Sequence, residues 1–168
     1  MNRFLFSICL SLAALSVAQA QKFGYLNSSA LLAELPEVKA ADSELRAFQA
    51  QLSKKGQEMV KEYQEKAAEL QRKQEQGLIA RKDLETQEAA LVEKQKKIKE
   101  YEQQVYADLA KRREKLFQPI FDRVNEAVKE VAAELGYDYI FDSNTSVLVY
   151  ADESLDISKE VMARLQKK

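Results

Sequence analysis

The chain has 168 residues, 26 basic against 27 acidic, with one cysteine, no histidine and a formal net charge of −1. That length suits one domain better than two, and the balanced charge argues against nucleic acid, which favours a basic face. Lacking histidine, the sequence offers no Ser-His-Asp, Cys-His or zinc constellation, so it reads as a binding or structural protein without a cofactor and not as an enzyme.

The first twenty residues read as a cleaved signal peptide. Met1-Asn2-Arg3 is a positive n-region, Phe4 to Val17 an apolar h-region, and Ala18-Gln19-Ala20 a small-residue cleavage site. A membrane anchor is the rival reading, but the apolar run falls short of the ~20 residues a spanning helix needs. Cys9 follows the bulky Ile8 deep in the h-region, which argues against a lipoprotein. Cleavage after Ala20 removes Cys9 and Arg3, taking the net charge from −1 to −2 and leaving no thiol in a compartment that permits disulfides.

Lys22 to Asn27 alternates as a strand, with Phe23 and Tyr25 on one face. Ser28 to Leu35 suggests a short helix leading into Pro36. From Val38 to Leu135 the residues are mostly Ala, Leu, Glu, Lys, Gln and Arg, the best helix formers. Val38, Ala41, Leu45, Phe48, Leu52 and Met59 follow coiled-coil spacing; Tyr63, Ala67 and Leu70 shift the seam as a stutter does. Leu84, Leu91, Ile98 and Val105 then recur every seven residues with polar residues between them, a thin seam.

A single helix of that length would need a partner over about 145 Å. An antiparallel hairpin is the alternative, and Gly77 favours it. It lies almost midway between Pro36 and Pro119, and glycine leaves a helix most readily through a left-handed conformation. The predicted tip is at residues 77–80, with arms of about 58 Å. Gly56 has no such symmetry and reads as a tolerated flaw.

Pro119 is expected to break the returning helix. Apolar density then rises through Ile120, Phe121, Val124, Val128, Val131 and Leu135, with Gly136 as C-terminal cap. Tyr137 to Asp142 and Val147 to Ala151 read as strands joined by a turn. Asp142, Asn144, Ser146 and Glu153 fall at calcium-loop positions, but Val147 stands where that loop needs glycine, so a turn is the better reading. Asp156 is placed to cap a last helix carrying Ile157, Val161 and Leu165.

The predicted fold is mainly α with a small β body: 21–36 and 119–168 form an α/β body, and 37–118 a helical hairpin arm. Three short strands and about two helices make a marginal core with two open edges, so the body is expected to oligomerise through Phe23, Tyr25, Leu26, Ile140, Phe141, Val147 and Val149.

KFGYLNSSALLAELPE near the start and KLFQPIFDRVNEAVKEVAAELGYDYIFDSN near the end resemble the Skp/OmpH family of periplasmic chaperones, and the order of elements matches over almost the whole chain after residue 20. That resemblance implies a homotrimer whose strands form a central β body with three helical hairpins around a cavity. It also implies ATP-independent holding of unfolded outer-membrane β-barrel proteins in the periplasm. Well-known members are strongly basic, whereas this chain is mildly acidic. No lipopolysaccharide site is carried over, and contact with a membrane surface or lipopolysaccharide stays open. The competing reading is a coiled-coil spacer of the envelope with no affinity for unfolded chains.

The candidate client contacts are Met59, Tyr63, Leu78, Ile79, Tyr101 and Tyr106. Structural alternatives stand beside them: Leu78 and Ile79 folded inward to staple the turn, and the tyrosines as fillers of the seam. The basic run Lys94, Lys96, Lys97 and Lys99 is flanked by Glu93, Glu100 and Glu102 and reads as a solvated helix face.

Overall fold

The computed structural model describes residues 21–145 and 147–167. Cys9 and the expected cleavage residues Ala18 and Ala20 lie outside them. The elements are β1 (Phe23–Leu26), α1 (Ser28–Glu34), α2 (Pro36–Glu75), α3 (Arg81–Leu135), β2 (Tyr139–Asp142), a 3-10 turn (Glu153–Leu155) and α4 (Ser158–Gln166). The protein is thus mainly helical, with two long helices and a small sheet. The described residues divide into two compact units: those up to Leu31 with those from Glu126 onward, and Leu32–Asn125.

In the first unit β1 and β2 pair in parallel, with Phe23 opposite Tyr139 and Tyr25 opposite Phe141. Parallel neighbours need a long crossover, and the intervening helices supply it. The pair is extended at both ends: Asp138 N donates to Lys22 O at 2.9 Å and Ser143 N to Leu26 O at 2.8 Å. On the other edge of β1, Ile157 N donates to Tyr25 O at 2.9 Å. Leu26, Leu31, Ala127, Val131, Ile157, Val161 and Leu165 are buried, Ile157 and Val161 to 1% and 0% exposure. The last three carry the stripe of α4 at helical spacing. Gly24 permits a close approach here, because a Cβ on it would lie 3.0 Å from Tyr137 Cε1.

Local hydrogen bonds close the helix ends. Asn27 Oδ1 accepts from Ala30 N at 2.9 Å, capping α1. Asp142 reinforces that end, accepting from Ser28 N at 3.2 Å and, through a short bond, from Ser28 Oγ. Gly136 ends α3 in the left-handed region at φ 70°, and Tyr137 N reaches back to Ala132 O at 2.9 Å, the 6→1 bond of a Schellman cap. Lys22 Nζ adds a charge to that end by donating to Leu135 O at 2.7 Å. Asp156 Oδ1 accepts from Ser158 N at 2.8 Å ahead of α4. Arg164 ties α4 to α3 through Glu130, at 3.0 Å, and Glu134.

Two expectations are corrected. Val147 to Ala151 is not a strand: the sheet has two strands, and Val149 is 98% exposed. β-branched residues favour a strand only when a neighbouring edge accepts their backbone groups, and this segment pairs with none among the described residues. Pro119 does not break the returning helix, because α3 runs through it to Leu135. The proline itself is exposed, and the lost hydrogen bond is tolerated next to the buried Ile120 and Val124. An ion pair between Arg123 and Glu37 holds the same stretch of α3 to the start of α2. Pro36 occupies the first turn of α2, where its missing N–H has no role.

Candidate functional site

The Leu32–Asn125 unit is built from α2 and most of α3. Gly77 takes φ 67° just beyond α2, and Leu78 N donates to Lys73 O at 2.9 Å, the same 6→1 cap that ends α3. The chain then re-enters helix at Arg81, so residues 76–80 are the turn between the two long helices. Leu78 is 71% exposed there and Ile79 half-buried. Leu78 therefore does not staple the turn, and only Ile79 leans inward.

Cross-helix contacts follow the register this turn dictates. Glu62 and Lys94, which form an ion pair at 2.9 Å, lie equally far before and after Leu78 in sequence. So do Glu44 and Arg112, which also pair. Hydrogen bonds from Lys94 and Lys66 are the chief cause holding the Glu62 carboxyl below its ordinary range. Along the seam Ala41 and Leu70 are buried, whereas Leu45, Leu52, Met59, Leu84, Leu91, Ile98 and Val105 are only half covered. A two-helix seam has no third layer to close it. Val60 and Tyr106, the latter 77% exposed, border the open grooves along the seam, and Val92 is exposed at 67%.

The candidate contact residues therefore separate. Leu78 and Tyr106 face solvent, while Met59, Tyr63 and Tyr101 are half-buried in the seam. Tyr101 is the most constrained: its hydroxyl donates to Leu52 O at 2.9 Å and its ring lies beside Gly56. Lys94 pairs with Glu62 and Lys96 with Glu100, so two of the four lysines of that basic run are charge-paired. A groove of about 510 Å³ lined by Leu52, Gly56, Tyr101, Val105 and Leu109 runs along the seam.

A second surface belongs to the other unit. In-register pairing puts Phe23, Tyr25, Tyr139 and Phe141 on one face of the sheet. Phe23 stacks on Tyr139 at 5.6 Å and on Phe141 at 6.2 Å between ring centroids, yet Phe23 and Tyr139 stay partly exposed. Desolvation first, then the carboxylates of Asp156, Glu153 and Asp152, push the Tyr25 phenol up. Of the expected interface residues, Leu26 is buried within its own unit, Ile140 lies on the opposite face, and Val147 and Val149 are exposed. Tyr139 was not among them. Its membership follows from the parallel register, which the strand's own alternation does not reveal.

Asp142 is not free to ligate calcium in the way its spacing suggests, since Ser28 and the Asn144 amide already occupy its carboxylate. Ser146 lies outside the described residues. Among those residues no group of three or more His, Cys, Asp or Glu could hold a metal ion, and no helix is long and apolar enough to cross a membrane.

The family described as "Outer membrane protein (OmpH-like)" matches residues 22–165. The chain is 28% identical to the chaperone protein Skp of Yersinia enterocolitica, over 95% of each chain. It is 24% identical to that of Pectobacterium atrosepticum, over 92% of this chain and 91% of the relative. Its fold superposes on the crystal structure of a protein described as an OmpH-like outer membrane chaperone from Caulobacter crescentus. That match has a TM-score of 0.76 at 18% identity and covers 90% of this chain and 87% of the other.

Proposed function

The chain belongs to the OmpH-like outer membrane protein family, and from that premise we propose that it is an ATP-independent periplasmic holdase for unfolded outer-membrane proteins. The observation that carries this reading is the distribution of apolar surface on the two long helices. Val60, Leu78, Val92 and Tyr106 are exposed at separate points along the two helices and the turn between them, and the grooves that Val60 and Tyr106 border are open to solvent. Such a surface offers an unfolded chain many weak contacts and no fixed shape to match. Affinity then comes from several arms acting on one client, since linked weak sites gain avidity through effective concentration.

The proposal assigns 37–118 to the arm and 21–36 with 119–168 to an oligomerising body. Three copies meet through the aromatic sheet face of Phe23, Tyr139 and Phe141 together with the unpaired Val147 and Val149. Both features support oligomerisation, because an exposed aromatic face and an unpartnered β-prone segment are stabilised by a second chain. Clients are released when folding at the outer membrane outcompetes holding.

The test is light scattering of a urea-unfolded outer-membrane β-barrel protein diluted into buffer with the purified protein and no nucleotide. Suppression that saturates at a fixed ratio of protein to client is expected. Unchanged aggregation across a wide excess would remove the holdase reading and leave a coiled-coil spacer of the envelope. Sedimentation at micromolar concentration tests the oligomer separately; a monomer there would remove the shared cavity.

A further inference from the structure

We propose that α2 carries a hinge at Gly56 and that Tyr101 of α3 is the latch that holds it closed. Glycine in mid-helix usually answers one of two needs, and neither applies here. Its backbone is not in the left-handed region, unlike Gly77 and Gly136. Nor does packing exclude a side chain: an added Cβ would stand 3.4 Å from Tyr101 Cε1, an ordinary contact. An alanine would fit and would favour the helix, so what the glycine leaves at this point is a turn of α2 that opens easily.

Tyr101 sits on that turn. Its hydroxyl donates to Leu52 O at 2.9 Å, and in the α-helical ladder the same carbonyl accepts from the Gly56 amide. Bending α2 at Gly56 separates that amide from the carbonyl, and the phenol anchors the carbonyl against the move. Lys55 Nζ lies 4.9 Å from the centroid of the Tyr101 ring and holds the ring from the same turn of α2.

The surroundings leave room for the latch to open. The groove of about 510 Å³ lies on one side of Tyr101, and a second of about 310 Å³, lined by Gly56, Val60 and Ile98, lies on the other. The ion pairs Glu44–Arg112 and Glu62–Lys94 fasten the two helices on either side of this level. Bending is thereby confined to the span between them. When the ring swings into a groove, the turn at Gly56 is released; when it returns, the Leu52 carbonyl is held again.

Native-state hydrogen exchange of the full chain, read by mass spectrometry on peptides across α2, tests this without any client. Local opening is what such exchange reports. Peptides covering 52–60 are expected to exchange faster than those covering 40–48 and 62–70. Tyr101→Phe keeps the ring and removes only the hydroxyl, and should speed exchange in 52–60 by about fivefold, the factor expected for one hydrogen bond. Gly56→Ala should slow that segment towards its neighbours. A segment 52–60 as slow as its flanks overturns the hinge, as does Gly56→Ala without effect. Equal acceleration along all of α2 in Tyr101→Phe overturns the latch, since it would mark a general loosening of the seam.

Discussion

The unit that contains α4 and the unit that contains the interhelical turn solve the problem of stability differently. Around α4, Ile157 and Val161 are sealed from water, and a glycine at position 24 lets Tyr137 close over the sheet. Across the much longer Leu32–Asn125 unit, Leu35, Ala41, Leu70, Ile120 and Val124 are buried and the rest of the seam is half open. The first unit is held by burial of apolar area. The second leans on helix propensity and exposed ion pairs, each of which contributes little. On the proposed holdase function, a surface kept available to clients cannot also be buried in its own core.

Mutations should separate the two regimes. Ile157→Ala is expected to lose about 3 kcal/mol of stability in denaturant unfolding, through lost burial and a residual cavity. Leu91→Ala, in the open seam, should lose under about 1 kcal/mol because its side chain is only partly removed from water. Equal losses would erase the distinction. Gly24→Ala should fall between them, at about 2 kcal/mol, because its methyl must displace the Tyr137 ring; tyrosine fluorescence would report the shift.

Acid sharpens the comparison. Burial pushes the Asp142 carboxyl up, but the donors from Ser28 and Asn144 outweigh it and hold the group below its ordinary value. Its contribution is therefore complete above about pH 4, the unfolded value, and is lost as pH falls through the lower folded value. Asp142→Asn should cost about 1 kcal/mol at neutral pH, as a lost helix cap does, and should flatten that acid limb in pH-dependent unfolding. The smallest effect is expected at Glu62→Gln, which removes an exposed cross-helix pair. It should leave the unfolding midpoint unchanged at 0.15 M salt; a clear drop would show that ion pairs, and not the apolar seam, hold α2 to α3.

Much of this architecture is legible from residues whose demands are local. Gly77 turns the chain because only a residue tolerant of positive φ continues from α2 into the capped turn. The stripe of Ile157, Val161 and Leu165 marks a packed helix by spacing alone. What the sequence conceals depends on partners distant along the chain. Pro119 has the same chemistry in a broken helix as in a continuous one; the burial of Ile120 and Val124 decides between them. Val147 to Ala151 has strand composition, yet among the described residues no sheet edge pairs with it. Tyr139 joins Phe23 only through a parallel register that the spacing within one strand does not encode. Tyr101 and Gly56 look like separate irregularities until the pairing of α2 with α3 places one on the other.

The parallel pairing of β1 with β2 also sets an order of events in time. Phe23–Leu26 leaves the ribosome early and must wait for Tyr139–Asp142, with both long helices between them. The helices form from contacts close in sequence and are fast, whereas closing so long a loop is slow, though each doubling of its length costs only about 0.6 kcal/mol. A chain truncated anywhere before Tyr139 leaves β1 without its strand partner, however well its helices form. The sheet thus acts as a proof of completion, made only once nearly the whole chain has arrived.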